Sequence, residues 1–200
     1  MGKAVLYLHG KGGNAREADR YRDLCPGYEV FGLDYHGDTP WDTAAEIAGA
    51  CAALARTHSG VVLIANSIGA YFAMHALQGE NLARALFISP VVDMEKLILR
   101  MLAWSHRLEA DLERQREIEN GYGETLSWTY LQYVRAHPVS WTVPTHILYG
   151  ENDNLTDLDT IRTFADRCGA DLEVMPGGEH WFHTEEQMAF HDGWVRRHLS

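Results

Sequence analysis

Cysteine is scarce in this 200-residue chain, which contains only Cys25, Cys51 and Cys168. Their number is odd, they are widely spaced and no CxxC pair occurs, which argues against a disulfide framework. No apolar leader segment of the signal-peptide type follows Met1. Together these features predict a protein of a reducing compartment, the cytoplasm.

Positive charge and long apolar runs are scarce as well. Lys and Arg number 17 against 28 Asp and Glu, which leaves a formal net charge of −11. Because this charge repels phosphate backbones and anionic headgroups, we expect neither nucleic acid nor a membrane surface as a partner. The longest aliphatic run, residues 61–65, is far shorter than the ~20 residues of a membrane span. The 46% hydrophobic content is sufficient for one soluble domain with a sizeable core.

Short, nearly all-apolar runs are the main pattern of the first half of the chain. They lie at residues 4–8, 29–34, 61–65 and 85–89. Such runs are typical of strands buried on both faces of a parallel sheet. Apolar residues at helical spacing occupy residues 43–57 and the segment from Ser67 onward. The alternation predicts a doubly wound α/β fold, with a mostly parallel sheet and helices on both faces.

Residues 91–138 interrupt this alternation, and no strand is predicted within them. Their apolar residues have the spacing of one face of a helix, here called the helical stripe: Met94, Leu97, Ile98, Met101, Leu102, Leu108 and Leu112. The mixed charges of residues 111–119 are typical of a solvated helix surface. An aromatic-rich stretch follows, with Trp128, Tyr130, Tyr133 and Trp141.

The sheet pattern returns near the C-terminus. Strands are predicted at residues 145–150 and 172–175, and helices at residues 161–168 and 187–199. No linker-like stretch separates the parts. We therefore interpret residues 1–200 as a single domain, with a core formed by residues 1–90 and 141–200 and an inserted helical lid at about residues 91–140.

A glycine-rich loop follows the first predicted strand. Residues 10–15 (GKGGNA) fit the pattern G-x-G-x-x-A, and Asp34 ends the next strand about 20 residues later. This is the fingerprint of dinucleotide binding, so a Rossmann-type protein is one alternative. A phosphate-binding P-loop is excluded, because no Gly-Lys-Ser/Thr occurs.

A pentapeptide at residues 65–69 (ANSIG) joins a predicted strand to a helix. Small residues around Ser67 permit a strained turn that lifts its hydroxyl out of the sheet, where a hydrolase holds its nucleophile. Ala65 stands at the position where this motif has Gly. The alternative is that Ser67 only caps the following helix.

A serine nucleophile needs a base and a carboxylate that orients the base, both at the same sheet edge. Asp153 follows the predicted strand at residues 145–150, although an ordinary Asx turn is its alternative. His180 follows the last strand in a loop with two glycines and is our candidate base, with His183 as a rival in the same loop. A metal site at the two histidines has little support, because no HExxH motif or cysteine cluster accompanies them.

An oxyanion hole needs two fixed hydrogen-bond donors. The backbone N–H groups of Lys11, in the loop at residues 9–13 (HGKGG), and of Ile68, after Ser67, are the candidates. The glycines allow the backbone to approach a tetrahedral intermediate closely. The alternative is a plain glycine-rich turn.

With nucleophile, acid and base in this order, the chain resembles the α/β-hydrolase superfamily, specifically its small single-domain serine hydrolases. The resemblance rests on four motifs: His9-Gly10, residues 65–69, residues 149–153 (YGEND) and residues 178–181 (GEHW). It covers nearly the whole chain. Because the first strand begins close to Met1, the resemblance implies a trimmed N-terminus and a roughly six-stranded sheet.

The resemblance implies acyl transfer by Ser67, His180 and Asp153 on an ester, thioester or small amide, without cofactor or metal. The expected partner is a small molecule with an acyl group, contacted by His9, Trp104, Trp128 and Tyr130. The alternative for the lid aromatics is that they only pack the lid. A non-catalytic binding module on the same fold is a further alternative. The natural substrate and the oligomeric state stay open.

Overall fold

A computed structural model describes residues 2–121 and 123–199 of the chain. The chain divides into two compact units. The first contains Met1–Val92 and Ser140–Ser200, and the second contains Asp93–Val139. The expectation that the second unit acts as a lid stays a prediction.

Within the described residues, a sheet of six parallel strands forms the centre of the first unit. The strands of the described part of the chain are β1 (Lys3–Leu8), β2 (Tyr28–Leu33), β3 (Val61–Asn66), β4 (Arg84–Ile88), β5 (Glu117–Glu119), β6 (Thr125–Ser127), β7 (Thr145–Gly150) and β8 (Asp171–Met175). The sheet order is β2-β1-β3-β4-β7-β8, and every neighbouring pair is parallel. This confirms the predicted α/β fold class.

The central strands are apolar because both of their faces are covered. Residues 4–8 are almost fully buried, and β3 aligns with them so that Leu8 pairs with Ala65. The carboxyl ends of parallel strands meet at one edge of a sheet. The loops after β1, β3, β7 and β8 therefore gather at the same edge, which places the predicted site residues near one another.

Helices alternate with the strands of this unit. They are α1 (Asp19–Arg22), preceded by a 3-10 turn at Ala15–Ala18, α2 (Pro40–Thr57), α3 (Ile68–Ala76), α7 (Leu158–Cys168) and α8 (Glu185–Leu199). Helix α2 begins earlier than residue 43 because Thr39 caps it, accepting the Asp42 N–H, and Pro40 fits its first turn. None of the described helices is both long enough and apolar enough to span a membrane.

The core on one face of the sheet joins β1 and β3 to α1 and α8. Val5, Tyr7 and Ile64 of the strands pack in one cluster with Tyr21 of α1 and Trp194 of α8. Helices α2 and α3 cover the opposite face and pack against each other. Ring burial of this size supplies much of the hydrophobic stabilisation of a small domain.

The second unit contains α4 (Met94–Trp104), α5 (Glu109–Gln115) and α6 (Trp128–Ala136) together with β5 and β6. The expectation of no strand between residues 91 and 138 is wrong. Strands β5 and β6 pair antiparallel and bury Ile118 against Leu126. Each strand has three residues and one buried side chain, which is too short for an alternating pattern to be visible in the sequence.

The predicted helical stripe is wrong at Leu108, whose surface is 71% exposed. Helix α4 ends before Ser105, and His106 adopts a positive φ of 54°, so the helical phase is lost there. Most of the stripe is buried as expected, at Met94, Leu97, Ile98, Leu102 and Leu112. The charged segment 111–119 is also only partly helical, because α5 ends before Arg116 (φ 71°) and β5 follows.

Ion pairs connect the three helices of the second unit. The guanidinium of Arg135 in α6 donates to Glu95 of α4 at 2.7 Å and to both carboxylate oxygens of Glu109 in α5, at 2.5 and 2.9 Å. These bonds hold the pKa of the Glu109 carboxyl below its ordinary value. A bidentate contact of this kind fixes the relative positions of the side chains. It adds little to the stability of the fold, because the groups are near the surface.

Candidate active site

Ser67 occupies the joint between β3 and α3 in a strained conformation. Its φ is 49° and its ψ is −121°, a region that non-glycine residues avoid. The backbone around it is fixed, because its N–H donates to the Ile88 carbonyl at 3.0 Å and its carbonyl accepts from Ala70 and Val91 at 3.2 and 3.1 Å. Strain that is held in this way is characteristic of functional sites.

The hydroxyl of Ser67 is not a helix cap. Although Ser67 precedes the first residue of α3, its side chain makes no capping bond to that helix. Thr39 and Asp157, by contrast, do cap α2 and α7 with their side chains. The Oγ of Ser67 instead lies 2.9 Å from Nε2 of His180. The capping alternative is therefore wrong.

Glycines permit the close packing of the strand ends around Ser67. A Cβ at Gly10 would lie 3.3 Å from the Cβ of Ser67, and a Cβ at Gly69 would collide with the carbonyl oxygen of His9. The loop after β1 and the first turn of α3 therefore lie directly against each other. No larger residue fits at Gly69 without moving the backbone of the β1 loop.

His180 connects Ser67 to a buried carboxylate. Its Nδ1 lies 2.7 Å from Oδ2 of Asp153, whose side chain is fully buried. An ionised carboxylate only accepts hydrogen bonds, so the proton of the neutral imidazole is on Nδ1 and the lone pair of Nε2 faces the Ser67 hydroxyl. In this arrangement the imidazole can accept a proton from Oγ, and Asp153 can stabilise the imidazolium that forms.

Asp153 uses its two carboxylate oxygens for two purposes. Oδ1 accepts the backbone N–H groups of Leu155 and Thr156 at 2.8 and 3.1 Å, which is an Asx-type turn. Oδ2 accepts from His180. The Asx turn expected as the alternative is therefore present, and it fixes the carboxylate that faces the imidazole. The role of Asp153 as a catalytic acid stays a prediction.

The loops that carry Asp153 and His180 are joined by backbone contacts. The N–H of Asn152 donates to the Gly178 carbonyl at 2.7 Å, and the N–H of Gly177 donates to the Glu151 carboxylate at 2.8 Å. Gly178 also packs on Gly150, where a Cβ would lie 2.6 Å from the Gly178 carbonyl oxygen. Asp153 and His180 are therefore held at hydrogen-bond distance by the backbone.

His183 does not take part in this chain of contacts. Its side chain is exposed, and its Nδ1 lies 2.9 Å from the Trp181 carbonyl and 3.2 Å from the Glu179 carboxylate. The geometry thus joins His180, and not its rival, to Ser67. Among residues 2–121 and 123–199, no three His, Cys, Asp or Glu side chains are grouped to hold a metal ion.

The two candidate oxyanion donors belong to segments that adjoin Ser67. Ile68 is the first residue of α3, and N–H groups in the first turn of a helix have no acceptor within the helix. Lys11 follows Gly10, which lies against Ser67, and the loop is closed by a bond from the Gly13 N–H to the Gly10 carbonyl at 3.1 Å. The positive end of the α3 dipole also favours a negative charge at this point.

The dinucleotide alternative has no support in this loop. The helix after it is the four-residue 3-10 turn, and the carboxylate of Asp34 accepts the N–H of Ala15 at 2.5 Å. A Cβ at Gly32 would collide with the Ala15 carbonyl, so the turn is packed onto β2. The acid that would hold a ribose therefore serves the fold itself.

The residues expected to contact the substrate lie in different units. His9 is buried in the first unit, where its ring stacks on Tyr35 with 4.3 Å between the centroids. Trp104, Trp128 and Tyr130 belong to the second unit. Trp128 is buried and Trp104 half-buried, each under the guanidinium of an arginine. Their contact with a substrate stays a prediction.

The sequence analysis missed a polar network beside Ser67. Asn66 donates from Nδ2 to the hydroxyl of Tyr7 at 2.9 Å, and that hydroxyl donates to Glu17 at 2.5 Å. Burial raises the pKa of Tyr7, so the hydroxyl stays protonated. Because Tyr7 lies in an almost entirely apolar strand, the sequence predicts only a core residue there. No local signal in the sequence indicates that its hydroxyl has hydrogen-bond partners.

The comparison with protein families identifies the fold family of this site. The sequence model described as the alpha/beta hydrolase family matches residues 5–192. The chain belongs to the alpha/beta hydrolase family. This match confirms the resemblance drawn from the motifs, and family membership supports a hydrolase activity. A search of the curated protein sequences finds no match.

Solved structures of other alpha/beta hydrolases have a similar fold. Est1E from Butyrivibrio proteoclasticus, with ferulic acid bound, has a TM-score of 0.79 at 16% identity, over 98% of this chain and 88% of that one. Alpha/beta hydrolase domain-containing protein 10 from mouse has a TM-score of 0.79 at 16% identity, over 100% of this chain and 91% of that one. An esterase from Pyrococcus furiosus has a TM-score of 0.65 at 19% identity, over 98% of this chain and 79% of that one. At these identities the likeness concerns the fold alone.

Proposed function

We propose that the protein is a serine hydrolase that cleaves a carboxylic ester, a thioester or a small amide through an acyl-enzyme. One observation carries this proposal: the hydroxyl of a strained Ser67 is hydrogen-bonded to His180, whose other nitrogen is bonded to the buried Asp153. A nucleophile, a base and an orienting acid in this geometry form the machinery of acyl transfer.

In the acylation step, Nε2 of His180 takes the proton of the Ser67 hydroxyl while Oγ attacks the carbonyl carbon. The tetrahedral intermediate then collapses, the bond to the leaving group breaks, and the Nε2 proton passes to the leaving oxygen, sulfur or nitrogen. Asp153 keeps its negative charge throughout and stabilises the imidazolium, to which it is 2.7 Å distant.

The negative charge that develops on the carbonyl oxygen is stabilised by the N–H groups of Ile68 and Lys11. Each such donor contributes about 10²–10³-fold in rate in acyl-transfer enzymes. The start of α3 adds a favourable dipole. Deacylation repeats the sequence with water: His180 takes its proton, the hydroxide oxygen attacks the acyl carbon, and Ser67 leaves with the proton returned.

An apolar or aromatic acyl group fits the proposal best. Est1E, which shares the fold, was solved with ferulic acid, an aromatic acid. We propose Trp104, Trp128 and Tyr130, the aromatic residues expected from the sequence, as contacts for such a group. Replacing Trp128 by Ala should then lower the rate with long or aromatic acyl chains more than the rate with acetyl esters.

The proposal is tested by hydrolysis of p-nitrophenyl esters of graded acyl length. Ser67→Ala and His180→Ala should each remove most of the rate, because members of such a set act as a unit. His183→Ala is the matched control, a histidine three residues away that should retain the activity. Full turnover by Ser67→Ala would contradict the proposal.

A further inference from the structure

The hydroxyl of Tyr7 links two segments of the candidate site. Tyr7 is fully buried in β1, accepts the Nδ2–H of Asn66 at 2.9 Å and donates to Oε2 of Glu17 at 2.5 Å. A phenol has one proton, and an ionised carboxylate can only accept. The direction of both bonds is therefore fixed, with Asn66 as donor to Tyr7 and Tyr7 as donor to Glu17.

Both ends of this network touch elements of the site. Asn66 is the last residue of β3 and directly precedes Ser67. At the other end, Oε1 of Glu17 accepts the backbone N–H of Asn14 at 3.2 Å, where the glycine-rich loop ends. A continuous path of hydrogen bonds thus runs from the residue before the nucleophile to the loop that contains Lys11.

The carboxylate of Glu17 also lies directly against the backbone of the loop. A Cβ at Gly13 would lie 2.6 Å from Oε1 of Glu17 and 2.9 Å from the Cβ of His9. Residues 10–14 follow the end of β1 and lie outside the strand ladder. Gly10 packs directly on Ser67, and the Glu17 contacts act at the other end of the loop, at Gly13 and Asn14.

The network has a cost in free energy of folding. The Oδ1 of Asn66 is buried and has no hydrogen-bond partner among the described residues, which costs free energy. An apolar pair at positions 7 and 66 would avoid that cost, because removing both partners of a buried hydrogen bond is close to neutral. Glu17 would lose the Tyr7 donor, but it is an exposed residue that can bond to water instead. A role in geometry explains why polar groups occupy these positions.

We infer that Tyr7 and Glu17 are positioning residues that hold the glycine-rich loop at a fixed distance from Ser67. In this role they keep the N–H of Lys11 aimed at the same point as the N–H of Ile68. The inference rests on the proposed function for its catalytic consequence. Its structural consequence, an ordered loop at residues 10–14, is independent of any reaction.

Kinetics of three variants test the catalytic consequence. Tyr7→Phe and Glu17→Gln should lower kcat roughly ten- to hundredfold, as expected for a misplaced oxyanion donor, with KM changed less than about twofold. Tyr21→Phe is the matched control: its ring lies 5.1 Å from that of Tyr7, but its hydroxyl bonds to His191 and not to the site. Equal kcat in Tyr7→Phe and Tyr21→Phe would overturn the inference.

Amide hydrogen exchange of the same variants tests the structural consequence. Tyr7→Phe and Glu17→Gln should speed exchange at residues 11–15 and 67–69, whereas Tyr21→Phe should leave both segments as in the wild type. If Tyr7→Phe does not fold, Glu17→Gln still allows the measurement, because Glu17 is an exposed residue. If the wild type hydrolyses no ester, the proposed function is wrong, but the structural role of Tyr7 and Glu17 is not affected. If amide exchange in Glu17→Gln is the same as in the wild type, this inference is wrong, whatever the activity.

Discussion

Gly150 and Glu179 lie so close that a Cβ at position 150 would be 2.5 Å from the carbonyl oxygen of Glu179. This approach places the end of β7 against the loop after β8, and therefore Asp153 beside His180. The contact is between backbone atoms, so it cannot be relieved by turning a side chain.

Gly150→Ala should separate the two loops and lengthen the bond from His180 to Asp153. We expect kcat for p-nitrophenyl esters to fall about 10²-fold, because a displacement near 1 Å at a reacting group has that effect. Gly49→Ala is the matched control, because Gly49 lies in α2 with open space around it. That variant should keep its activity and gain up to about 1 kcal/mol of stability. Equal activity of the two variants would contradict the role given to Gly150.

Asp153→Asn should retain the fold but present the wrong imidazole tautomer to Ser67. An amide NH₂ can donate to Nδ1 of His180, which moves the imidazole proton to Nε2. We expect kcat to fall by about 10⁴-fold with KM little changed. The control is Asp159→Asn, since the Asp159 side chain is 90% exposed in α7. A loss of less than about tenfold would show that Asp153 does not orient the base.

The stability of the fold should decrease as the pH falls below about 6.5, the ordinary pKa of histidine. Burial lowers the pKa of His191, which lies between the Tyr21 hydroxyl and Asp192, with Arg20 nearby. Below pH 6.5 His191 therefore binds a proton in the unfolded chain but not in the folded protein. The free energy of unfolding falls with pH until the folded-state pKa of His191 is reached.

The contribution of His191 is isolated by comparing unfolding at pH 7 and pH 5 in urea. His191→Gln should show a smaller loss of stability over this interval than the wild type. Some loss remains in the variant, because burial also lowers the pKa of His146 and His198. His36→Gln, at an exposed position, should follow the wild-type curve. A His191→Gln curve parallel to the wild type would contradict this prediction.

Leu112 and Leu108 should differ sharply in their effect on the second unit. Leu112 is fully buried, so Leu112→Ala should lower the free energy of unfolding by about 2–5 kcal/mol. Leu108 is exposed and its side chain makes no capping bond to α5, so Leu108→Ala should change the free energy of unfolding by less than about 0.5 kcal/mol. Urea unfolding followed by circular dichroism measures both. Similar losses in the two variants would support the continuous helical stripe instead.

Strands and site loops were predictable because their signals are local. Runs such as residues 61–65 mark buried strands, and the strand-end rule then gathers Ser67, Asp153 and His180 at one edge. The choice between His180 and His183 was not predictable, because it depends on the path of a loop that packs on Gly150. The partners of the Tyr7 hydroxyl were not predictable either. Glu17 lies ten residues further along the chain, and Asn66 is on another strand, so no local pattern connects them with Tyr7.

The break after α4 was not predictable for a related reason. The apolar spacing of Leu108 fits the stripe of Leu102 and Leu112. The non-helical backbone between α4 and α5, with a positive φ at His106 and an extended Leu108, removes it from the buried face. Periodicity reports which residues could share a face if the helix continues. It does not report where a single backbone torsion ends the helix.

The most direct test of the central claim is mass spectrometry of the protein after reaction with a fluorophosphonate. We predict one covalent adduct, mapped to the peptide that contains Ser67, absent in Ser67→Ala and formed far more slowly in His180→Ala. His183→Ala should react at the wild-type rate. An unmodified wild-type Ser67, or an adduct that persists in Ser67→Ala, would contradict the claim that Ser67 is an activated nucleophile.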